Sequence, residues 1–175
     1  MILIEPVVVE VRESAGLAAD TSITWISAIE RGLAVDADPD QLFRVLLNLV
    51  RNAAQALETH PSSDRSSQQI RVTGRREGAV AILEVSDTGP GVPARSRQHL
   101  FEAFQTSGRP GGSGLGLAIA AELVRAHDGE IHLVEGTLGA TFRIVIPDRL
   151  TVCGGVMLAD ALDELVKELQ RVRNP

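Results

Sequence analysis

The chain is poor in aromatic residues: it has no tyrosine, one tryptophan and four phenylalanines in 175 residues. Its core must therefore be filled by Leu, Val, Ile and Ala. A single cysteine, Cys153, excludes an internal disulfide, and no Cys/His cluster has metal-ligand spacing. A reducing cytoplasm fits that usage. Positive charge is also in deficit, with 17 Lys and Arg against 23 Asp and Glu and a net charge of −6. That balance argues against a general nucleic-acid binder, which needs a basic surface, but not against a nucleotide, which needs only local donors. No apolar run approaches a membrane span, and MILIEPVVVEV has no basic region ahead of its apolar residues, so neither a membrane segment nor a signal peptide is expected.

What is present suits one domain with a small appendage: 44% hydrophobic and 23% charged residues, enough for a proper core. SITWIS (22–27) and LAVD (33–36) read as strands flanking a turn near Arg31-Gly32. Asp38 as N-cap with Pro39 in the first helical position opens a helix running to about Glu58. THPSSDRSSQQ (59–69) is a polar connection. Strands at 69–75 and 80–86 surround Glu77-Gly78 as a hairpin, and a short helix is expected at 94–101. A helix over 115–127 precedes a second hairpin made of 130–135 and 140–147. Residues 6–18 are ambiguous locally, because VVVEV favours a strand while Glu10, Arg12 and Glu13 allow a helix.

The stretch GGSGLGLAIA (111–120) places four glycines in six residues directly before an apolar helix. Bare backbone there suits close approach to a ligand, and a helix opening presents amides to an anion, so phosphate is the first candidate. A Walker loop is excluded because Gly114-Leu115-Gly116-Leu117 stands where Gly-Lys-Ser/Thr is needed. A dinucleotide fold is excluded because FQTSGRPG before the glycines is no strand, and a protein-kinase loop because a helical AIAAELVRA follows. On the 38–58 helix, Asn48, Arg51, Asn52 and Gln55 share a polar face opposite Leu42, Val45, Leu46, Leu49 and Ala53. Two carboxamides one turn apart offer neutral oxygens to a hard cation such as Mg²⁺, which takes few protein ligands alongside substrate phosphates.

Taken in order, NLVRNAAQA (48–56), DTGPGV (87–92), FEAF (101–104), GGSGLGLAIA (111–120) and GATF (139–142) resemble the N box, first glycine box, F box, second glycine box and closing segment of one family. This family is the catalytic ATP-binding domain of bacterial sensor histidine kinases, of the nitrogen-regulation type, within the Bergerat-fold superfamily. The resemblance covers roughly Asp38 to Pro147. It implies an α/β two-layer sandwich, a mixed sheet covered on one face by helices, with residues 1–148 as the catalytic domain. It also favours helix for 6–18. The remainder, 149–175, reads as a loop and an amphipathic helix.

The resemblance further implies ATP and Mg²⁺ as cofactors. Asn52 would hold the metal, with Asn48 assisting at phosphate or metal and Gln55 beside them. Asp87 would accept from the adenine amino group, near Thr141, and Gly89 and Gly91 would let the main chain pass the base and sugar. Gly112, Ser113, Gly114, Leu115 and Gly116 would present amides to phosphates. Phe101 and Phe104 would anchor a lid over about 92–113, and Arg109 would stand near the γ-phosphate.

None of the four histidines fits the phosphoacceptor pattern: His60 precedes Pro61, His99 precedes Leu100 and His132 precedes Leu133, while His127-Asp128 falls at a helix end before Gly129. The implied partner is a histidine-containing dimerisation domain, in the same larger protein or in trans, with a response regulator served indirectly. Asn48 stands where the superfamily's rapid ATPases carry Glu, and a carboxamide cannot take water's proton. Two other readings stay open: a Ser/Thr kinase of the anti-sigma-factor type, and a non-catalytic nucleotide-binding adaptor. In the tail, Leu158, Leu162, Leu165, Leu169 and Val172 alternate steps of four and three. That seam suits either a helix folded back on its own domain or a homodimer contact through 156–172.

Overall fold

The computed structural model describes residues 1–17, 22–60, 68–102 and 114–148. The chain opens with strand β1 (Ile2–Leu3) and helix α1 (Ile4–Ser14). Ile4, Val7, Val8 and Val11 all fall on its buried side, the 3.6-residue spacing of one helical face. That pattern overrides the strand preference of three consecutive valines, and Pro6 is tolerated because the first turn lacks internal N–H partners.

Strands β2 (Thr24–Ile29) and β3 (Ala34–Val35) follow. They do not pair with each other. Leu33 is buried, its carbonyl accepts from Ile4 N at 3.0 Å, and β3 turns aside to pair antiparallel with β1. Strand β2 instead joins the main sheet, starting two residues later than the sequence pattern suggests.

Helix α2 (Pro39–Thr59) begins as expected: Asp38 Oδ1 accepts from Gln41 N at 2.9 Å, and Pro39 occupies the first position. Strands β4 (Gln69–Glu77) and β5 (Val80–Asp87) form the expected hairpin, with Gly78 at φ +57° in a two-residue loop. Helix α3 (Ala94–Arg97) spans four residues rather than the expected eight, and none of its side chains is buried to extend it. Helix α4 (Gly116–Arg125) leads into β6 (Glu130–Leu133) and β7 (Thr141–Pro147).

The sheet order is β2-β4-β5-β7-β6, with β2 parallel to β4 and every other pair antiparallel. Helices α1, α2 and α4 bury their apolar stripes against one sheet face, on Ile70, Val72, Leu83, Val85, Phe142 and Ile144. This is the mixed two-layer α/β sandwich. Among the described residues no helix is long and apolar enough to cross a membrane.

Candidate nucleotide site

Helix α2 is the common wall of the candidate site. Its buried Leu42, Val45, Leu46, Leu49 and Ala53 hold it on the sheet, so the face carrying Asn48, Asn52 and Gln55 turns to the layer's edge, where all three are half-buried. Arg51, one position round, is exposed. At the Asn48 end lies the opening of α4: a Cβ built on Gly116 would stand 3.7 Å from both Cγ and Oδ1 of Asn48. Gly114 takes φ +65°, a left-handed conformation that bends the chain into the helix. Leu115 at the N-cap brings no side-chain cap, and the amides of the first turn point back along the helix axis.

Eight residues along α2, at Ala56 and Leu57, stands the other end of the site. Gly89 packs there, with a built Cβ 3.5 Å from Ala56 Cβ and 3.7 Å from Leu57 Cδ2. A rise of 1.5 Å per residue separates the two ends by about 12 Å, the scale of an extended nucleoside triphosphate from base to outer phosphates.

Asp87 ends β5 and is 5% exposed. Its Oδ1 accepts from Gly89 N at 2.7 Å and from Ala140 N at 3.3 Å, while its own amide donates to Ala140 O at 2.9 Å. The buried carboxylate is thereby locked between the loop after β5 and the start of β7. Thr141, also buried, is paired with Ser86, next to Asp87.

Glycine is required around this carboxylate. Gly139 has φ +77°, and a Cβ there would overlap the Asp87 carbonyl oxygen. Gly91, at φ +74°, presses on Gly139, whose carbonyl oxygen lies 3.0 Å from where its Cβ would be. Gly139 and Ala140 were not among the candidates read from sequence. The signal was the GATF segment itself, but only the sheet register shows that its first two residues grip Asp87.

Phe101 is half-buried and meets Phe142 edge-on, with centroids 6.3 Å apart and planes at 76°. It is seated on the rim of the core, partly buried and packed against it. Phe104, Arg109, Gly112 and Ser113 lie outside the described residues. His127 takes a role that sequence did not reveal. It is buried, its Nδ1 lies 2.7 Å from Leu123 O, and its Nε2 accepts from the backbone amide of Asp38 at 2.9 Å. The neutral ring with its proton on Nδ1 satisfies both bonds and ties the end of α4 to the start of α2.

Residues 37–150 match the family model described as histidine kinase-, DNA gyrase B- and HSP90-like ATPase. Sensory histidine kinase/phosphatase NtrB of Rhizobium leguminosarum bv. phaseoli is 42% identical over 123 residues, covering 65% of this chain and 32% of the relative. The chain thus spans about a third of the length of the curated relatives it matches. Among solved structures, the mycobacterial sensor histidine kinase MprB superposes with a TM-score of 0.66 at 28% identity, covering 83% of this chain and 93% of that one. Full-length ShkA in complex with AMPPNP gives a TM-score of 0.67 at 32% identity, covering 82% of this chain and 30% of that one. Motif order, sheet topology and these matches agree: the chain belongs to the histidine kinase-, DNA gyrase B- and HSP90-like ATPase family.

Proposed function

We propose that this chain binds Mg²⁺-ATP and donates the γ-phosphoryl group to a histidine on a dimerisation domain, within a two-component signalling system. The observation that carries the reading is the single wall of α2, with the buried Asp87 carboxylate at one end and the glycine-bounded opening of α4 at the other. An ionised carboxylate only accepts hydrogen bonds, and adenine presents a donor where guanine presents an acceptor. Asp87 therefore selects adenine. Gly89 and Gly91 carry the main chain past base and sugar, with Thr141 beside the carboxylate.

At the opposite end, Gly112, Ser113, Gly114, Leu115 and Gly116 supply amides to the phosphates. Among the described residues, no group of three or more His, Cys, Asp or Glu could hold a metal ion. The donors on α2 are carboxamides, and they fit a hard cation shared with phosphate oxygens rather than a closed protein cage. Asn52 would hold Mg²⁺, with Asn48 and Gln55 beside it, and the ion would neutralise charge on the phosphates. Phe101 and Phe104 anchor the lid, and Arg109 stabilises charge at the γ-phosphate.

The base that deprotonates the acceptor, and the acceptor itself, belong to the partner domain, and a response regulator takes the phosphoryl group from there. With Asn48 in place of a carboxylate, no base on α2 takes water's proton and the nucleotide is spared rapid hydrolysis. The test is incubation of this chain with γ-labelled ATP and the dimerisation domain of an NtrB-type relative. Acid-labile, alkali-stable label on that domain is the expected product. Acid-stable label would assign a Ser/Thr kinase instead, and tight ATP binding with no transfer to any acceptor would assign an adaptor.

A further inference from the structure

Among the described residues, the helices packed on the sheet lie on one face, yet the other face is not bare. Strand alternation sends Ile82, Val145 and Pro147 away from the helices, with Ile82 opposite Val145 and Val80 opposite Pro147 in register. On an open antiparallel sheet such positions face water and are polar. Here Ile82 is 2% exposed and Val145 5%, Pro147 is buried, and neither Ile82 nor Val145 belongs to the core cluster under the helices. Thr73 Oγ1, on the same face of the neighbouring strand β4, is buried too.

The Arg143–Glu84 ion pair, at 2.6 Å, lays its stems over part of this surface. Its side chains are themselves only 21% and 19% exposed, low for charges on a free face. Among the described residues no helix covers this ground.

We propose that residues 156–172 of this chain lie across that face as its cover. The chain leaves β7 at Asp148, directly after the buried Pro147, and Asp148 is held there by its amide to Ala79 O at 2.8 Å and by its carboxylate to Arg76. Residues 149–175 therefore start at the rim of the patch. The seven residues 149–155 reach at most about 25 Å when extended, enough to set residue 156 down anywhere on the sheet. Seventeen helical residues measure about 25 Å, the width of five strands at roughly 4.8 Å spacing with their side chains.

The Leu158, Leu162, Leu165 and Leu169 stripe supplies one apolar face, which matches one apolar patch. The rival surface beside α1, lined by Leu3, Pro6, Val9 and Leu33, is not the seat. Leu3 and Val9 remain 56% and 53% exposed there.

The experiment uses the full chain in a Cys153→Ser background carrying Ile82→Cys, and measures the rate of labelling by a soluble thiol reagent alongside the solution mass. Val145→Cys replaces Ile82→Cys if the first variant does not fold. The expected result is the mass of one chain with a protected thiol, and labelling at least about tenfold faster when Leu162→Ser and Leu165→Ser are added. Equal rates with and without the tail substitutions overturn the proposal. So does a two-chain mass whose protection disappears on dilution, because the cover then comes from a second copy.

Discussion

At the scale of single residues, the candidate site depends on Asp87 being both buried and anchored. Asp87→Asn keeps an oxygen for Gly89 N but turns one acceptor into a donor that, in the proposed binding mode, would meet the adenine amino group. ATP affinity is expected to fall roughly 10- to 100-fold, the worth of one hydrogen bond to a charged group. Isothermal calorimetry checks this, and an unchanged affinity would remove Asp87 as the base selector. Asn52→Ala leaves the polar face of α2 one carboxamide short. Its ATP affinity should no longer tighten on adding Mg²⁺, and a variant that responds to Mg²⁺ like the parent chain would move the metal elsewhere. Asp87 could be picked out from the chain alone because it precedes Thr-Gly-Pro-Gly in a strict order of boxes. Gly139 could not: its necessity comes from the Asp87 carbonyl that any Cβ there would overlap, and that neighbour is 52 positions away in sequence.

Elements carry the next set of constraints. Helix α2 announced itself through Asp38, Pro39 and a clean apolar stripe, and the structure agrees to within a residue. Helix α1 did not announce itself locally, because its valines prefer strand; the family resemblance favours helix for 6–18, the helix runs from Ile4 to Ser14, and burial of Ile4, Val7, Val8 and Val11 on a common core is the physical reason. Neither helix end specifies how α2 and α4 meet. Core packing of Ala120 and Val124 does so, together with the tie made by His127, whose ring spans from Leu123 O to the Asp38 amide. His127→Ala would take the side-chain partner from the Leu123 carbonyl and the Asp38 amide at once, both in part-buried bonds. A loss of about 1–3 kcal/mol in urea unfolding is expected, with partial rescue by His127→Gln, which can donate and accept. An unfolding midpoint identical to the parent's would show that the tie contributes nothing. Because α4 also carries Gly116 against Asn48, the same variant should weaken nucleotide binding without touching it.

Across the whole molecule, Arg76 fastens three distant segments. Its side chain pairs with Asp148 after β7 and donates to Ala34 O of β3 at 2.5 Å, while its backbone amide donates to Glu30 Oε2 at 2.8 Å. The hydrogen bond to Asp148 raises the guanidinium above its usual range, with Asp148 and Glu30 charges adding to it against desolvation. A raised cation contributes stability below its unfolded value and loses it only as pH climbs through the folded one, so this contribution does not change around neutral pH, where the carboxylates it pairs with are charged. Arg76→Met should lower the melting midpoint by roughly 2–10 °C at neutral pH, read by calorimetry. A midpoint unmoved by the change would show that the link is not structural. Box order, helix caps and apolar spacing were enough to identify the family, the mixed sandwich and most of the wall residues, because each depends on neighbours within a turn or two. Long-range pairing had to supply the rest: β3 leaving β2 for β1, the grip of Gly139 and Ala140 on Asp87, the His127 bridge and the apolar ground on the far side of the sheet. Those features arise where strands and helices distant in the chain are brought within bonding distance, and no local pattern encodes that meeting.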